Sequence, residues 1–428
     1  MLKKIFFQIH WFLGITAGLI LSIMGVTGAI YSYEQPIQKW LNPDSYTVQA
    51  ENRDKLTPAE LYQHFHSTDP EMKINSITVA KDPNASSSLN IVKEGARKGY
   101  NMMINPYTAE VLPEIKGREF FQFIQQLHRN LTVGPVGKQI TGACTLMLLI
   151  FIFSGLYLRW PKKHSFKQWF LIKPKLKGRN FLWDLHAVVG TWVVVFFLII
   201  ACTGLTWSYG WWRSGLYTVM GVEQKKELKG EAPQRGAGEG RGERGGNTPS
   251  GEGRDDAQQA QSTSKDREGS RGEGGDKRGL SAEQINLALT QTWTGFNAQV
   301  GRDYSSLTLN LPKKANGEVE LTFVDAIPQH ERARNKATFD YKTSSIKDME
   351  IYEDKKLNEK IMSSMLPVHR GSFFGPVYQF LAMLAALAMP LFFVTGWMLY
   401  LKRRKQKKLT KAARNSLTAV SIDPNAKP

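Results

Sequence analysis

Cysteine is nearly missing from this 428-residue chain: Cys144 and Cys202 are the only two, and each lies inside an apolar run. That leaves no disulfide framework and no Cys-x-x-Cys-His for covalent haem attachment, so both cysteines read as packing residues. Also missing are a Gly-x-Gly-x-x-Gly that follows a strand and a Walker motif, which argues against a built-in nucleotide module. Asp and Glu do not occur between Arg159 and Arg179, a stretch with eight Lys or Arg. Residues 230–279 have 14 glycines and many charges but no Val, Ile, Leu, Met, Phe, Trp, Tyr or Cys. A segment of that composition cannot bury a core and is expected to be a disordered linker.

Hydrophobic residues make up 42% of the chain, and they are strongly segregated. Four runs, 9–31, 139–160, 181–209 and 377–401, are long enough to cross a bilayer, which takes about 20 helical residues. The first has the position of a signal peptide, but it lacks a clear small-residue cleavage site. Its pattern also returns in the third run, where no signal peptide can sit. Lys3 and Lys4 in residues 1–8, the basic loop 161–180 and "KRRKQKK" in the tail 402–428 put both termini in the cytoplasm by the positive-inside rule. The segments 32–137 and 210–376 are then expected in the periplasm of a bacterium, across its inner membrane. The net charge of +18 follows from that topology and from anionic lipid, and requires no nucleic acid.

The apolar runs match in pairs. His10, Gly14, Thr27, Gly28, Ser32 and Tyr33 recur 176 residues later as His186, Gly190, Thr203, Gly204, Ser208 and Tyr209. "HRNLTVGPV" at 128–136 recurs 241 residues later as "HRGSFFGPV" at 369–377, and "SGLYL" at 154–158 as "TGWML" at 395–399. Identities at fixed offsets over whole helices indicate a duplicated unit of helix, periplasmic domain and helix. The larger second offset is absorbed by 230–279, after a short connector at 210–229. Each domain reads as a helix followed by strands: 57–65, 74–80, 87–93 and 99–106 in the first, and 281–293, 305–311, 317–324 and 337–343 in the second. The expected fold is an all-α four-helix transmembrane bundle with an internal two-fold repeat and two small α+β domains, at 32–137 and 280–376.

Four of the eight histidines sit at matched positions. His10 and His186 open helices on the cytoplasmic side, and His128 and His369 precede helices that start on the periplasmic side. A pseudo-two-fold axis along the membrane normal brings each pair face to face. Two imidazoles across a bundle axis are the axial ligand set of a six-coordinate b-type haem. On a helix at about 100° per residue, Gly14, Gly18, Gly25 and Gly28 all lie within about 80° of the His10 direction, which is expected to clear room for a porphyrin. Gly190 and Gly204 repeat two of those positions. The competing readings are interfacial histidines and ordinary packing of small residues between helices. Zinc is disfavoured, since two histidines without carboxylate or thiolate partners make a poor site. Arg129 and Arg370 directly follow His128 and His369, and are read either as partners of a haem propionate or as interfacial cations. His64 and His66 do not share a helix face, His164 and His330 lie in polar segments, and Asp184 is a hydrogen-bonding candidate near His186.

Taken together, "FFQIHWFLGITAG", "LHRNLTVGPVGKQI", "SGLYLRWPKK" and "MMINPYTAEVL" resemble the PepSY-associated transmembrane family of bacterial inner-membrane proteins. In the last segment Ala109 stands where that family more often has glycine. The resemblance extends over the chain apart from 230–279 and implies that both periplasmic domains are PepSY-like. It implies further an inner-membrane ferric-siderophore reductase with two b haems, His10 with His186 and His128 with His369. Such a protein passes electrons outward to iron(III) and releases iron(II). The electron donor is then a separate cytoplasmic reductase or membrane quinol. Two other readings stay open: a haem-free, membrane-anchored regulator that binds peptidases, and a transporter component. The first leaves four matched histidines without a role. The second conflicts with the lack of charged residues deep in the runs.

Overall fold

A computed structural model describes residues 2–92, 99–161, 164–223, 280–312 and 317–422. The stretch 230–279, expected as a linker, lies outside the described residues. The first part of the chain forms α1 (Leu2–Ser32), α2 (Glu34–Leu41), α3 (Pro43–Tyr46), α4 (Pro58–Thr68), β1 (Lys73–Ala80), β2 (Ser87–Val92), β3 (Tyr100–Ile104), α5 (Arg118–Asn130) and α6 (Gly134–Arg159). There follow α7 (Phe166–Phe170), α8 (Gly178–Ser208), α9 (Gly210–Val219) and α10 (Ala282–Gln299). The last part forms β4 (Tyr304–Asn310), β5 (Glu318–Asp325), β6 (Arg334–Asp340), β7 (Ser345–Glu350), α11 (Leu357–Ser363), α12 (Met365–Arg370), α13 (Pro376–Leu387) and α14 (Met389–Ile422).

Helices α1, α6, α8 and the α13–α14 pair are long and apolar enough to cross a membrane. Many of their large apolar side chains, such as Phe153, Val195, Leu381 and Val394, are exposed on the outer surface. A helix apolar on every side belongs in lipid, where these side chains need no protein partner. Around the bundle α1 packs on α6 and α14, and α8 packs on the same two, so α1 and α8 stand diagonally across the axis. Ala17, Leu21, Leu148, Val193, Phe197 and Ala201 fill the middle.

The fourth span is not the single helix that residues 377–401 suggest. It breaks at Ala388, between α13 and α14. Pro390 supplies the reason: it has no N–H for the carbonyl of Ala386, and its ring crowds that carbonyl. Gly25 of α1 lies against the break, and a Cβ there would stand 2.5 Å from the Ala386 oxygen. Gly25 therefore admits the break, and Gly18 likewise admits the Phe393 ring.

Two helices with matching starts cover one sheet. Thr57 caps α4 in a reciprocal box with Glu60, and Ser281 caps α10 in the same way with Gln284. Each cap is worth about 1 kcal/mol. The strands join into a seven-stranded antiparallel sheet in the order β3-β2-β1-β4-β5-β6-β7. Its centre is the β1–β4 pair, where Thr78 faces Thr308 with hydroxyls 2.9 Å apart and Ile77 faces Leu309. Leu61, Ile77, Leu89, Leu289, Phe296, Leu307, Phe323 and Phe339 form one core beneath α4 and α10. β7 was not anticipated, since "SIKDME" carries three charges and its side chains are mostly exposed. Ala109 holds φ = +61° in the turn after β3. That conformation costs a non-glycine residue roughly 1–2 kcal/mol, which accounts for the glycine expected there.

The sheet is tied to α12 by a buried chain of hydrogen bonds. His330, expected in a polar segment, is only 6% exposed. Its Nδ1 accepts from the Arg332 N–H at 3.0 Å, so Nε2–H donates to the Tyr352 hydroxyl at 2.9 Å. Tyr352 in turn donates to Ser364 Oγ, 2.9 Å away at the start of α12. Burial lowers the His330 pKa, with Glu331 opposing and Arg332 reinforcing the shift. A folded pKa below the ordinary value of about 6.5 gives stability that is complete above that pH and lost as pH falls below it. Thermal unfolding measured from pH 7.5 to pH 5 is expected to weaken with acid, and His330→Gln is expected to flatten that dependence while lowering stability at pH 7.5.

Candidate functional site

The bundle has a sheet end and a tail end, the latter carrying Leu2 and the start of α8. At the tail end His10 of α1 and His186 of α8 meet across the diagonal, with ring centres 6.3 Å apart and planes at 73°. At the sheet end His128 and His369 meet with ring centres 6.2 Å apart and planes at 61°. The second pair does not come from the membrane helices themselves. His128 lies on α5 and His369 on α12, short helices that pack against α1 and α8. A tight turn through Leu131 and Thr132, both at positive φ, then leads into α6, and Gly371 and Gly375 serve the same purpose before α13. The repeated "HR…GPV" motif thus ends a helix, reverses the chain and starts the next helix with proline.

Every one of these rings is held by a hydroxyl on Nδ1. His10 meets Ser154 Oγ at 2.8 Å, and His186 meets Thr395 Oγ1 at 2.7 Å. His128 meets Thr27 Oγ1 at 3.2 Å and the Met24 carbonyl at 2.9 Å. His369 meets Thr203 Oγ1 at 2.9 Å. Each hydroxyl already donates its proton to the carbonyl four residues back on its own helix, at 2.6–2.7 Å: Ser154 to Ile150, Thr395 to Leu391, Thr27 to Ile23 and Thr203 to Ile199. A hydroxyl has one proton, so toward the ring it can only accept. Nδ1 therefore carries the hydrogen and Nε2 keeps a free lone pair. This is the tautomer of a metal-binding imidazole with its orientation set by an outer partner. Desolvation by the surrounding helices lowers His128 to about 4 and His369 to about 3, so both are neutral at physiological pH.

The chemistry of the four hydroxyls was not read from the sequence. Thr27 and Thr203 were matched positions without a role, and Ser154 and Thr395 were matched only as part of a helix pattern. A hydroxyl at equal offset from a candidate ligand was the available signal. The glycines divide. Gly14 and Gly190 line a cavity of about 730 Å³ that reaches His10 and His186, and no atom lies within 4 Å of a Cβ built at Gly14. Gly28 and Gly204 instead admit the histidines of the other pair: Cβ atoms there would stand 2.8 Å from His128 Cε1 and 3.1 Å from His369 Cε1.

The chain matches the family model for the PepSY-associated TM region over residues 7–403. It belongs to that family. No curated protein matches it by sequence. In this PepSY-associated membrane protein the two imidazole pairs are about 25 Å apart along the bundle, since 17 residues of α1 separate His10 from Thr27 at 1.5 Å each. That is most of the roughly 30 Å hydrocarbon thickness.

Arg370 is 7% exposed, pairs with Glu34 at 3.2 Å and lies over the Tyr31 ring at 4.5 Å. Its Nε is buried without a hydrogen-bond partner among the described residues. Arg129 forms no ion pair among the described residues, and its carbonyl accepts from Thr141. Asp184 is buried and accepts from the Lys173 N–H at 2.8 Å. His66 stacks on Tyr62, His64 is exposed, and His164 stacks on Trp169. Gly28→Ala is expected to push the His128 ring from its place and cost about 1–3 kcal/mol in thermal unfolding in detergent. Gly14→Ala, facing open space, is expected to be neutral or to gain up to about 1 kcal/mol from helix propensity.

Proposed function

We propose that each imidazole pair is the axial ligand set of one haem b, and that the protein carries electrons across the inner membrane through two such groups. One observation carries this reading: all four rings donate through Nδ1 to a hydroxyl whose own proton is spent, which leaves the Nε2 lone pairs for iron. The spacing supports it. Two histidines holding one metal between them, each through a metal–nitrogen bond of about 2 Å with about 1.1 Å from nitrogen to ring centre, would have ring centres about 6.2 Å apart. The rings stand 6.3 and 6.2 Å apart. The tail-end cavity of about 730 Å³ lies within the range of cofactor sites. Among the described residues no three of His, Cys, Asp or Glu come together as a metal site, which fits haem better than zinc.

Bound there, haem b supplies a one-electron iron(III)/iron(II) couple. The chain's own residues do the rest. The histidines would hold the metal, the hydroxyls fix their tautomer and direction, and apolar neighbours such as Phe151, Phe392 and Trp207 pack edge-on to the rings. The basic loop and tail support an orientation with the tail end in the cytoplasm and the sheet in the periplasm. The matched offsets, and the order of helix then strands in 58–104 and 282–350, support a duplicated unit with PepSY-like domains. By family resemblance the acceptor is iron(III) in a siderophore. It takes one electron to become iron(II), which is chelated more weakly. The donor is a separate reductase or membrane quinol. A haem-free peptidase regulator leaves the four fixed tautomers without purpose.

The protein purified in mild detergent, made with ample haem, is expected to have a Soret band that shifts on dithionite reduction and to contain two haems per chain. His10→Ala and His128→Ala are each expected to remove one haem and retain the other. Vesicles filled with dithionite are expected to reduce an external iron(III) chelate with the parent protein and not with either variant. Absence of a Soret band overturns the reading.

A further inference from the structure

One end of the tail-end cavity is strongly cationic. Arg159, Arg179, Arg403, Arg404 and Lys407 all line it, and among the described residues no Asp or Glu does. Each lies on the tail side of the imidazole pair. Arg159 is five residues beyond Ser154 on α6, Arg179 seven before His186 on α8, and Arg403 eight beyond Thr395 on α14. At 1.5 Å per residue these positions are about 7–12 Å from the level of the rings. The cavity therefore has an apolar, glycine-lined interior and a basic mouth.

Arg159 is the most constrained of the five. Its Nη2 donates to the carbonyls of Gln168 and Trp169, both at 2.8 Å, and its guanidinium lies 5.4 Å from the Trp169 ring centre. Those bonds hold the side chain in place. Its Nη1 is buried and has no hydrogen-bond partner among the described residues. The nearby acid, Asp184, spends one oxygen on the Lys173 N–H and does not line the cavity. A buried cationic N–H without an acceptor is costly, and a carboxylate is the acceptor that satisfies it best.

A flat apolar body with carboxylates on one edge fits this cavity in one direction only. We infer that the tail-end cavity binds its porphyrin with both propionates at the basic mouth, Arg159 Nη1 donating to one carboxylate and Arg179, Arg403, Arg404 and Lys407 supplying the surrounding positive field. This rests on the haem reading above and adds the orientation of the group and the residues that set it. Arg129 and Arg370, the arginines beside His128 and His369, have no part in this cavity.

The test uses the full chain with His128→Ala to silence the sheet-end pair, made haem-depleted and titrated in detergent. The two probes are haem b and its dimethyl ester, which keeps the iron and ring but has no carboxylates. Binding is followed by the Soret band. Haem b is expected to bind roughly 10- to 100-fold more tightly than the ester, the range of a charge-assisted hydrogen bond. Arg159→Gln is expected to remove most of that difference while leaving affinity for the ester unchanged. Arg403→Gln, which breaks none of the backbone hydrogen bonds that Arg159 makes, is expected to reduce it partly and guards against a folding defect in the first variant. Equal binding of haem and ester by the parent chain overturns the inference, as does a variant that weakens both probes alike. Failure of both probes to bind at all overturns the haem reading itself.

Discussion

The hydrogen bond from an imidazole Nδ1 to a serine or threonine hydroxyl is the constraint on which the membrane half of this protein depends. It is made four times, and each time the hydroxyl is already committed to its own helix. A serine or threonine inside a helix commonly returns its proton to the carbonyl four residues back. Here that habit turns the side chain into a one-way acceptor. The consequence is chemical: a ring that exchanges tautomers in water has one tautomer in the bundle. In a low-dielectric interior an unsatisfied polar group is expensive, so ring and hydroxyl position each other.

The bundle geometry follows from the same bonds. His10 of α1 is held by Ser154 of α6, and His186 of α8 by Thr395 of α14, so every bond crosses between neighbouring helices. The rings are thereby pulled inward from diagonal helices toward the axis. At the sheet end the helices exchange parts: the hydroxyls sit on α1 and α8, and the imidazoles arrive on the short helices α5 and α12. Those helices fit closely only because Gly28 and Gly204 have no side chain in the way. The sheet is tied to both helices: Arg118, at the start of α5, donates to the Asn101 carbonyl of β3 at 3.3 Å. The chain His330–Tyr352–Ser364 carries that link into the helix of His369.

The glycines illustrate what a helical wheel can and cannot say. Gly14, Gly18, Gly25 and Gly28 share a face by angle, and the sequence treats them alike. In the folded chain Gly14 borders a cavity, Gly18 faces a phenylalanine ring, Gly25 faces a freed carbonyl, and Gly28 faces a histidine. The angle around one helix is a local property. The occupant of that direction depends on the neighbouring helix and on height along it. Likewise β7 and α12 were not anticipated, because short charged or mixed segments carry little periodicity of their own and take their form from the strand or helix beside them.

The sequence alone determined the spans, the matched histidines, six of the seven strands and the two capped helices over the sheet. All of these rest on local periodicity, on turn chemistry or on residues recurring at fixed offsets, which one dimension can hold. Tertiary structure decided the rest. It joined the strands of both segments into one sheet through the Thr78–Thr308 pair, broke the last span where Pro390 frees a carbonyl beside Gly25, and lined the cavity mouth with five cations from three helices. It also decided which hydroxyl meets which ring. That last choice could not be read from the chain, because the partners are 101 to 209 residues apart and their protons are assigned only when both helices are in place.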